Sequence, residues 1–314
     1  MKVLGVENIG STCYFSSVLQ SILYIKEVRQ YFKSVSHTGR VWDELGDIMG
    51  SIKKNGPMIK VQVVSPKKLL KLFSIKFPWW EIYQQQDAHE CFVNFIDFLQ
   101  CNTRDKTLSF QFESSRNGYS KYIDYINTNP SIFSRLFFGL SSNYKKCQQC
   151  KQTIRNYEVT NTINLNVPQQ PITLVELLQG YIKKETQCDP NNLYNCEHCK
   201  KKVSYTEKIG FYKLPSVLVI CLKRYDYSSY PPKKINTLVD YPVKGLRIRE
   251  ELSDKVKEYK LKSVIFHHGG FFGGHYTCMS KFNGTWFEFN DDYVSSNHKV
   301  EKHKQAYILM YTSN

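Results

Sequence analysis

The chain has 314 residues, 41% of them apolar, and a formal net charge of +15. A chain of this length and composition buries a sizeable core, which excludes a disordered protein and predicts one large domain or two packed lobes. Apolar runs such as SVLVICL at 216–222 are far shorter than the roughly 20 residues of a membrane span, and the opening MKVLGVENIG lacks the apolar core of a signal peptide. We therefore expect an intracellular protein of the cytoplasm or nucleus, with no membrane partner, whose ten cysteines are thiols or metal ligands.

The positive charge is compatible with an acidic partner such as nucleic acid or an acidic protein. Its lysines, however, come in scattered pairs and triplets, such as SPKKLLK and PPKKI, without the interleaved aromatic residues of a nucleic-acid platform. The pattern favours a solvated lysine-rich surface and argues against nucleic acid as the partner.

The first helix is predicted by apolar residues that recur at three- and four-residue steps from Val18 to Phe32 and end near QYFKS. Ser11 or Thr12 precedes this pattern and is suited to cap the helix. Cys13 then lies in the first turn, where backbone N–H groups and the helix dipole lower the pKa of a thiol. A cysteine there is either a nucleophile or a buried structural thiol, and a histidine base elsewhere in the chain would favour the first.

A second helix start is predicted in the segment QQDAHE. Asp87 is followed three residues later by Glu90 and then by the apolar periodic run FVNFIDFL, which is the pattern of a capping box. On this evidence alone the two acidic residues are helix caps.

Two C-x2-C pairs lie further along the chain: Cys147 with Cys150 in KCQQCK, and Cys196 with Cys199 in NCEHCK. Two such pairs in a reducing compartment predict one closed, tetrahedral zinc site with four thiolate ligands. Four thiolates fill the coordination shell, so we expect the zinc to be structural and not catalytic. The separation of the pairs suggests a β-ribbon in which each pair caps one hairpin.

The strongest hairpin signal is the Asn-Gly dipeptide in KFNGTW, between two runs of aromatic and β-branched residues. With this dipeptide as the turn, Phe282 faces Thr285, and the same register places His275 opposite Asp292. Asn290 shares the face of His275 on the neighbouring diagonal. A histidine oriented by an amide or carboxylate is the base that a cysteine nucleophile needs.

These motifs together resemble the catalytic domain of the ubiquitin-specific proteases (USPs), which are papain-like cysteine deubiquitinases. GVENIGSTCYFSSVLQSIL resembles the cysteine box of the family, YQQQDAHECF its glutamine–aspartate segment, and LPSVLVICLKRYDY the strand that follows the zinc fingers. YKLKSVIFHHGGFFGGHYTC with WFEFNDD resembles the histidine box, and AYILMY the closing strand. The motifs run from residue 5 to residue 311 in the family's order, so the resemblance covers nearly the whole chain.

The resemblance implies catalytic roles for five residues. Cys13 matches the nucleophile, His275 the general base, and Asn290 the third member of the triad, where many members have aspartate and others asparagine. The adjacent Asp291, which the ideal register places on the opposite face unless a bulge intervenes, matches a position that assists in some members and is not ranked against Asn290. Asn8 matches the side-chain donor of the oxyanion hole.

The resemblance also implies a substrate channel. Asp87 and Glu90 match residues that border the channel for the basic, glycine-ended tail of ubiquitin, which acidic side chains complement. His267 matches a position near the same channel, with a satisfied core histidine as the alternative interpretation.

The implied architecture is an α+β, papain-like fold in one catalytic domain over residues 1–314. It has a helical thumb over 1–140, zinc-bearing β-fingers over 141–210 and a β-rich palm over 211–314. The implied enzyme is a thiol protease that hydrolyses the isopeptide or peptide bond at the C-terminal glycine of ubiquitin through an acyl-enzyme thioester. Its partners would be ubiquitin, ubiquitinated proteins and an activating protein of the kind some members require, and its one cofactor a structural zinc ion.

Three alternatives stay open at this point. The modifier is ubiquitin or another ubiquitin-like protein with a glycine-ended tail. The cysteine pairs and the positive charge also fit a zinc-ribbon scaffold for nucleic acid or chromatin, which would bind with a steep salt dependence and tolerate the loss of Cys13. The third alternative is an inactive USP scaffold, against which the presence of Cys13, His275 and Asn290 argues.

Overall fold

The structure is a computed structural model that describes residues 1–34, 39–53, 58–110, 118–228, 230–297, 299–300 and 302–313. These ranges contain eight α-helices: α1 Cys13–Leu23, α2 Lys26–Ser34, α3 Arg40–Gly50, α4 Lys67–Lys76, α5 Ala88–Asn102, α6 Tyr119–Thr128, α7 Ile132–Phe137 and α8 Leu174–Tyr181. Short 3-10 helices span Lys106–Leu108 and Pro190–Asn192. None of the helices in these ranges has the length and apolar character that crossing a membrane requires.

The same ranges contain twenty strands. They are β1 Lys2–Val6, β2 Lys60–Val64, β3 Gly139–Cys147, β4 Thr153–Thr160, β5 Ile163–Asn166, β6 Ile172–Thr173, β7 Glu185–Gln187, β8 Tyr194–Cys196, β9 Lys201–Val203, β10 Tyr205–Lys213, β11 Val217–Lys223, β12 Tyr225–Asp226, β13 Lys233–Lys234, β14 Val239–Asp240, β15 Leu246–Arg249, β16 Val256–Gly269, β17 Gly274–Phe282, β18 Thr285–Asn290, β19 Tyr293–Asn297 and β20 Ala306–Ser313. Helices dominate the first part of the chain and strands the rest, which confirms the predicted α+β class.

Helix α1 is the centre of the helical part, and all of its residues are buried. A helix that is buried all round must be enclosed by other elements. Phe15 shows how: its ring contacts Phe73 of α4 and Phe95 of α5, with centroids 6.0 Å and 5.0 Å away. The helix also shares one apolar core with strands of the large sheet, so it connects the two parts of the molecule.

The single first helix predicted up to QYFKS is wrong, because the chain leaves helical geometry at Tyr24 between α1 and α2. The Tyr24 hydroxyl accepts the Leu4 N–H at 2.9 Å, and its ring stacks on Phe289 with centroids 5.1 Å apart. These tertiary contacts outweigh the continuous apolar pattern.

The predicted side-chain cap of α1 is also wrong. Thr12 occupies the N-cap position but makes no capping hydrogen bond, because its hydroxyl accepts the Ile9 N–H at 3.1 Å. Ser11 lies one position further out, with a left-handed backbone at φ 52°.

The large sheet has eight strands in the order β19-β18-β17-β16-β20-β11-β5, with β15 paired to β16. Both of its faces are buried, as β11 illustrates. Its odd-numbered residues from Val217 to Cys221 join the core around α1, whereas its even-numbered residues from Leu218 to Leu222 join a second core that includes α8. A strand buried on both faces explains the unbroken apolar run SVLVICL.

A separate antiparallel sheet in the order β4-β3-β10-β7, with the small β8–β9 hairpin, carries the four paired cysteines. The range 141–210, predicted as fingers, also contains two elements that pack elsewhere. Strand β5 pairs in parallel with β11 of the large sheet, and α8 packs in the second core.

Candidate active site

Cys13 is the first residue of α1 and is 4% exposed. Its thiol lies close to the backbone of Tyr276, the residue that follows His275, and both residues line the same cleft. Burial raises the pKa of the Cys13 thiol above its ordinary value, and the Asp291 carboxylate adds to this effect. The pKa lowering predicted from the helix start is therefore outweighed, and formation of the thiolate requires a base.

His275, on β17, is held by Asn290 at the end of the neighbouring strand β18. The Nε2 atom of His275 lies 2.6 Å from Oδ1 of Asn290. An amide oxygen only accepts hydrogen bonds, which assigns the proton to Nε2 and leaves Nδ1 to take a proton. Asn290 therefore fixes both the orientation and the tautomer of the imidazole.

The hairpin register that was expected around this contact is only partly correct. Phe282 pairs with Thr285 as predicted, and the pairing continues to Cys278 and Phe289. The predicted pairing of His275 with Asp292 is wrong, because β18 ends at residue 290 and the chain turns into β19. The turn passes through residue 291 with a left-handed backbone at φ 53°.

Asp291 and Asn8 connect the end of β18 to the segment before α1. The Nδ2 atom of Asn8 donates to Oδ2 of Asp291 at 2.8 Å, and its Oδ1 accepts the N–H groups of Gly10 and Thr12. Burial raises the pKa of Asp291 above its ordinary value, while the amide of Asn8 and the charge of His275 oppose the shift. The Thr12 hydroxyl also donates to Oδ1 at 3.2 Å, so the amide of Asn8 is fixed by four hydrogen bonds just before the helix that carries the cysteine.

A cleft of about 730 Å³ opens in front of Cys13. Asp87 lines this cleft and is the N-cap of α5. Its Oδ1 accepts hydrogen bonds from the backbone N–H groups of His89 and Glu90. Its Oδ2 accepts a hydrogen bond from the Tyr307 hydroxyl at 2.6 Å. The predicted cap is confirmed, but the second half of a capping box is missing among the hydrogen bonds of the described residues. Glu90 instead lines the cleft with its side chain exposed.

His267 lines the same cleft and is 6% exposed. Its ring lies 4.6 Å from that of Tyr276, and its Nδ1 is 3.4 Å from the Tyr225 hydroxyl. Burial, assisted by the charge of Lys234, lowers the pKa of His267 to about 4. The two interpretations of this residue thus coexist, because it is a packed, neutral histidine that also forms part of the cleft wall.

Gln85 is a further residue that holds the histidine strand, and it was not among the predicted site residues. Its side-chain amide makes two hydrogen bonds to the backbone of Gly274, accepting the N–H at 3.1 Å and donating to the carbonyl at 3.2 Å. Gly274 immediately precedes His275, so this pair of bonds connects the loop before α5 to the histidine strand. A Cβ on Gly274 would lie 2.3 Å from the His268 carbonyl oxygen, so this position requires glycine. Three consecutive glutamines in the sequence give no signal that would select Gln85.

The four paired cysteines converge in the smaller sheet. The sulfurs of Cys147 and Cys199 are 3.8 Å apart, those of Cys150 and Cys196 are 3.7 Å apart, and all four lie within 4.8 Å of one another. Four thiolates bound to zinc at about 2.3 Å are separated by about 3.8 Å, so this cluster fits one tetrahedral ion. All ten cysteines are free thiols, so the cluster is not a pair of disulfides, and its four sulfurs are close enough together to hold one metal ion.

The fold and the cleft together define a papain-like cysteine hydrolase, with a thiol at a helix start and a histidine on a facing sheet. Comparison with known proteins identifies the family. The family model described as ubiquitin carboxyl-terminal hydrolase matches residues 4–311. Ubiquitin carboxyl-terminal hydrolase 3 of Homo sapiens is 28% identical, with 99% of this chain and 68% of that protein covered. Probable ubiquitin carboxyl-terminal hydrolase 16 of Schizosaccharomyces pombe is 26% identical, with 98% of this chain and 66% of that protein covered.

Solved structures agree with these relatives. One chain of a yeast SAGA deubiquitinating module with a mutant Sgf73 subunit superposes on this chain with a TM-score of 0.77. The two chains are 25% identical, and the match covers 99% of this chain and 68% of the other. A chain of a SAGA module bound to ubiquitin aldehyde has the same fold, with a TM-score of 0.74 and 24% identity. The match covers 99% of this chain and 70% of the other. The chain belongs to the ubiquitin carboxyl-terminal hydrolase family and is a deubiquitinating protease of the USP type.

Proposed function

We propose that the enzyme hydrolyses the bond at the C-terminal glycine of ubiquitin with Cys13 as nucleophile, His275 as general base and Asn290 as the residue that orients the base. The observation that carries the proposal is the 2.6 Å contact between His275 and Asn290 beside the buried thiol of Cys13. The thiol lies against the backbone of Tyr276, one residue from the imidazole. This is the arrangement that a cysteine–histidine nucleophile needs.

In the first step, Nδ1 of His275 takes the proton of the Cys13 thiol, and the thiolate attacks the carbonyl carbon of the terminal glycine. Because burial raises the pKa of the thiol, its proton is transferred as the attack proceeds and not in the resting enzyme. The protonated imidazole then gives its proton to the departing lysine amine, which leaves a thioester. Water, deprotonated by the same imidazole, attacks the thioester and restores the thiol.

Asn8 is proposed to stabilise the oxyanion of each tetrahedral intermediate. One hydrogen of its Nδ2 is used by Asp291, which leaves the second for the developing negative charge. The N–H bonds that hold its Oδ1 keep the amide in one orientation. Asp291 is proposed as a positioning residue for Asn8, because its carboxylate accepts the hydrogen bond from Nδ2 of Asn8.

The cleft suits an extended, basic and glycine-ended peptide. Asp87 and Glu90 bring negative charge to its wall, and His267 packs beside them in neutral form. The names of the relatives, and a similar module bound to ubiquitin aldehyde, support ubiquitin as the modifier. That module has several subunits, which supports an activating protein partner for this chain as well.

We propose that the four-cysteine cluster holds one structural zinc ion. Binding of the ion would stabilise the folded ends of β3 and β8, which carry the ligands. The four cysteine thiolates would occupy all of its coordination positions. The chemistry of the cleft is then performed by the side chains alone.

The test uses ubiquitin with a cysteine-reactive group at its C-terminus and intact mass as the measurement. We expect one ubiquitin to be added to the wild type and none to Cys13→Ala. Cys188→Ser, which removes an exposed thiol, is the control and should be labelled as the wild type is. Labelling of Cys13→Ala would refute the assigned nucleophile. Labelling by a ubiquitin-like probe but not by ubiquitin would refute the assigned modifier.

A further inference from the structure

A lysine and a cysteine are in direct contact on the outside of the helical part, where α4 and α5 both end. The Nζ atom of Lys76, the last residue of α4, lies 3.0 Å from the Sγ atom of Cys101 near the end of α5. Asp97, one helical turn before Cys101, holds the ammonium from the other side, with its Oδ2 at 2.9 Å. The three groups form a closed cluster that is separate from the cleft and from the metal ligands.

The cluster is reachable from solvent. The side chains of Lys76 and Asp97 are 29% and 44% exposed, and Cys101 is half-buried. In the part of the chain that the structure describes, Cys101 is the only cysteine with a hydrogen bond to a lysine. By contrast, Cys91, Cys221 and Cys278 are completely enclosed. A partly exposed thiol in direct contact with a polar side chain is more open to oxidation than the enclosed thiols.

We propose that Lys76 and Cys101 form a reversible covalent N–O–S bridge when the protein is exposed to dioxygen. The Lys76 ammonium first gives one proton to solvent, which leaves a neutral amine with two N–H bonds. One of these bonds breaks together with the S–H bond of Cys101. One oxygen atom becomes bonded to both nitrogen and sulfur, and the other leaves as water with the two released hydrogens. Sulfur and nitrogen each give up two electrons, and dioxygen accepts all four.

The 3.0 Å separation is short enough for a single oxygen atom to join the two groups with little movement of either helix. The bridge would close a loop from residue 76 to residue 101, which contains Gln85, Asp87 and Glu90 of the cleft wall. A cross-link of this kind restricts the unfolded chain and stabilises the folded one. Oxidation at a surface cluster would thus stiffen the segment that shapes one side of the active site.

The experiment compares the 314-residue protein kept in air-saturated buffer, under nitrogen, and in air followed by dithiothreitol. Mass spectrometry of proteolytic peptides is expected to find residues 76 and 101 joined, with a gain of one oxygen and a loss of two hydrogens, only in the first sample. The melting temperature of that sample should rise by a few degrees and return after reduction.

Two matched variants distinguish the bridge from ordinary thiol oxidation. Lys76→Arg keeps the positive charge beside Asp97 but has no primary amine, and Cys101→Ser has no thiol, so neither should show the cross-linked peptide. Cys188→Ser should show it as the wild type does. An unchanged mass in the wild type, an oxidised Cys101 with no attached lysine peptide, or the same cross-link mass in Lys76→Arg would overturn the proposal.

Discussion

Asn290 accepts a hydrogen bond from His275 across the ends of two neighbouring strands, with 2.6 Å between Oδ1 and Nε2. His275 is the second residue of β17 and Asn290 is the last of β18, beyond the final backbone pair of the hairpin. The side chains therefore meet where the backbones have begun to diverge. The contact depends on the length of the asparagine side chain and on the position at which β18 ends.

Replacing Asn290 with alanine should lower kcat about 100-fold, the size of effect expected when a general base loses its orientation. Asn290→Asp should retain most of the activity, because a carboxylate also accepts the Nε2 proton. The measurement is the release of a fluorophore from the C-terminus of ubiquitin. Equal activity of Asn290→Ala and the wild type would show that His275 is oriented by something else.

Gln85→Ala should lower kcat about 10-fold with a smaller change in KM, because the two bonds to Gly274 position the strand that begins at His275. The control is Gln86→Ala, since the amide of Gln86 bonds to the Glu81 carbonyl within its own loop. A pH profile of kcat separates the roles: a displaced base changes the profile, whereas a loss of stability alone does not. If both variants show the same loss and an unchanged profile, Gln85 is not a positioning residue.

The local chemistry of the hairpin and of the α5 cap could be predicted from the sequence. The Asn-Gly turn fixes the register at Phe282 and Thr285, and Asp87 caps its helix, because both features depend on neighbouring residues alone. The spacing of the cysteine pairs likewise predicts a cluster that the fold assembles. Such signals do not depend on the rest of the molecule.

Contacts between distant segments could not be predicted in this way. The helix break at Tyr24 comes from its contacts with Leu4 and Phe289, which no local pattern contains. The contact of Asn8 with Asp291 joins positions 283 residues apart and depends on a left-handed residue at the end of a strand. The raised pKa of Cys13 similarly comes from burial, which is a property of the assembled core.

The low pKa of His267 makes the stability of the fold sensitive to acid. The folded protein binds the proton with a pKa of about 4, compared with 6.5 for an ordinary histidine. The unfolded chain therefore gains a proton first, so the stabilisation is complete above pH 6.5 and is lost as the pH falls toward 4. His267→Gln should remove about 3 kcal/mol of this acid-dependent loss, measured by urea unfolding across that range. The exposed His303, changed to glutamine, is the control, and an equal slope for wild type and His267→Gln would contradict the assignment.

Asp291 should show opposite effects on stability and on activity. Burial raises its folded pKa, so the ionised carboxylate opposes folding, and this cost appears as the pH rises through the raised pKa. Asp291→Asn should consequently melt at a higher temperature than the wild type at neutral pH, with the difference shrinking in acid. Its kcat should fall about 10-fold, because the amide of Asn8 loses the charged acceptor that holds it in position. Thermal melts at several pH values, paired with turnover at neutral pH, test both halves, and a lower melting temperature at neutral pH would contradict the first.

Removing one thiolate of the four-cysteine cluster should destabilise the protein without touching the catalytic side chains. Structural zinc sites bind with about 10 kcal/mol or more of free energy that the unfolded chain lacks, so Cys147→Ser should lower the melting temperature strongly. A chelator should have the same effect on the wild type and little on the variant, whereas Cys188→Ser should behave as the wild type does. Metal analysis of the purified protein should find one zinc per chain and less in Cys147→Ser.

Because the cluster lies in the smaller sheet and not in the cleft, the variant that stays folded at low temperature should still react with a ubiquitin probe at Cys13. Complete loss of that reaction in a folded Cys147→Ser would mean that the metal acts on the active site directly.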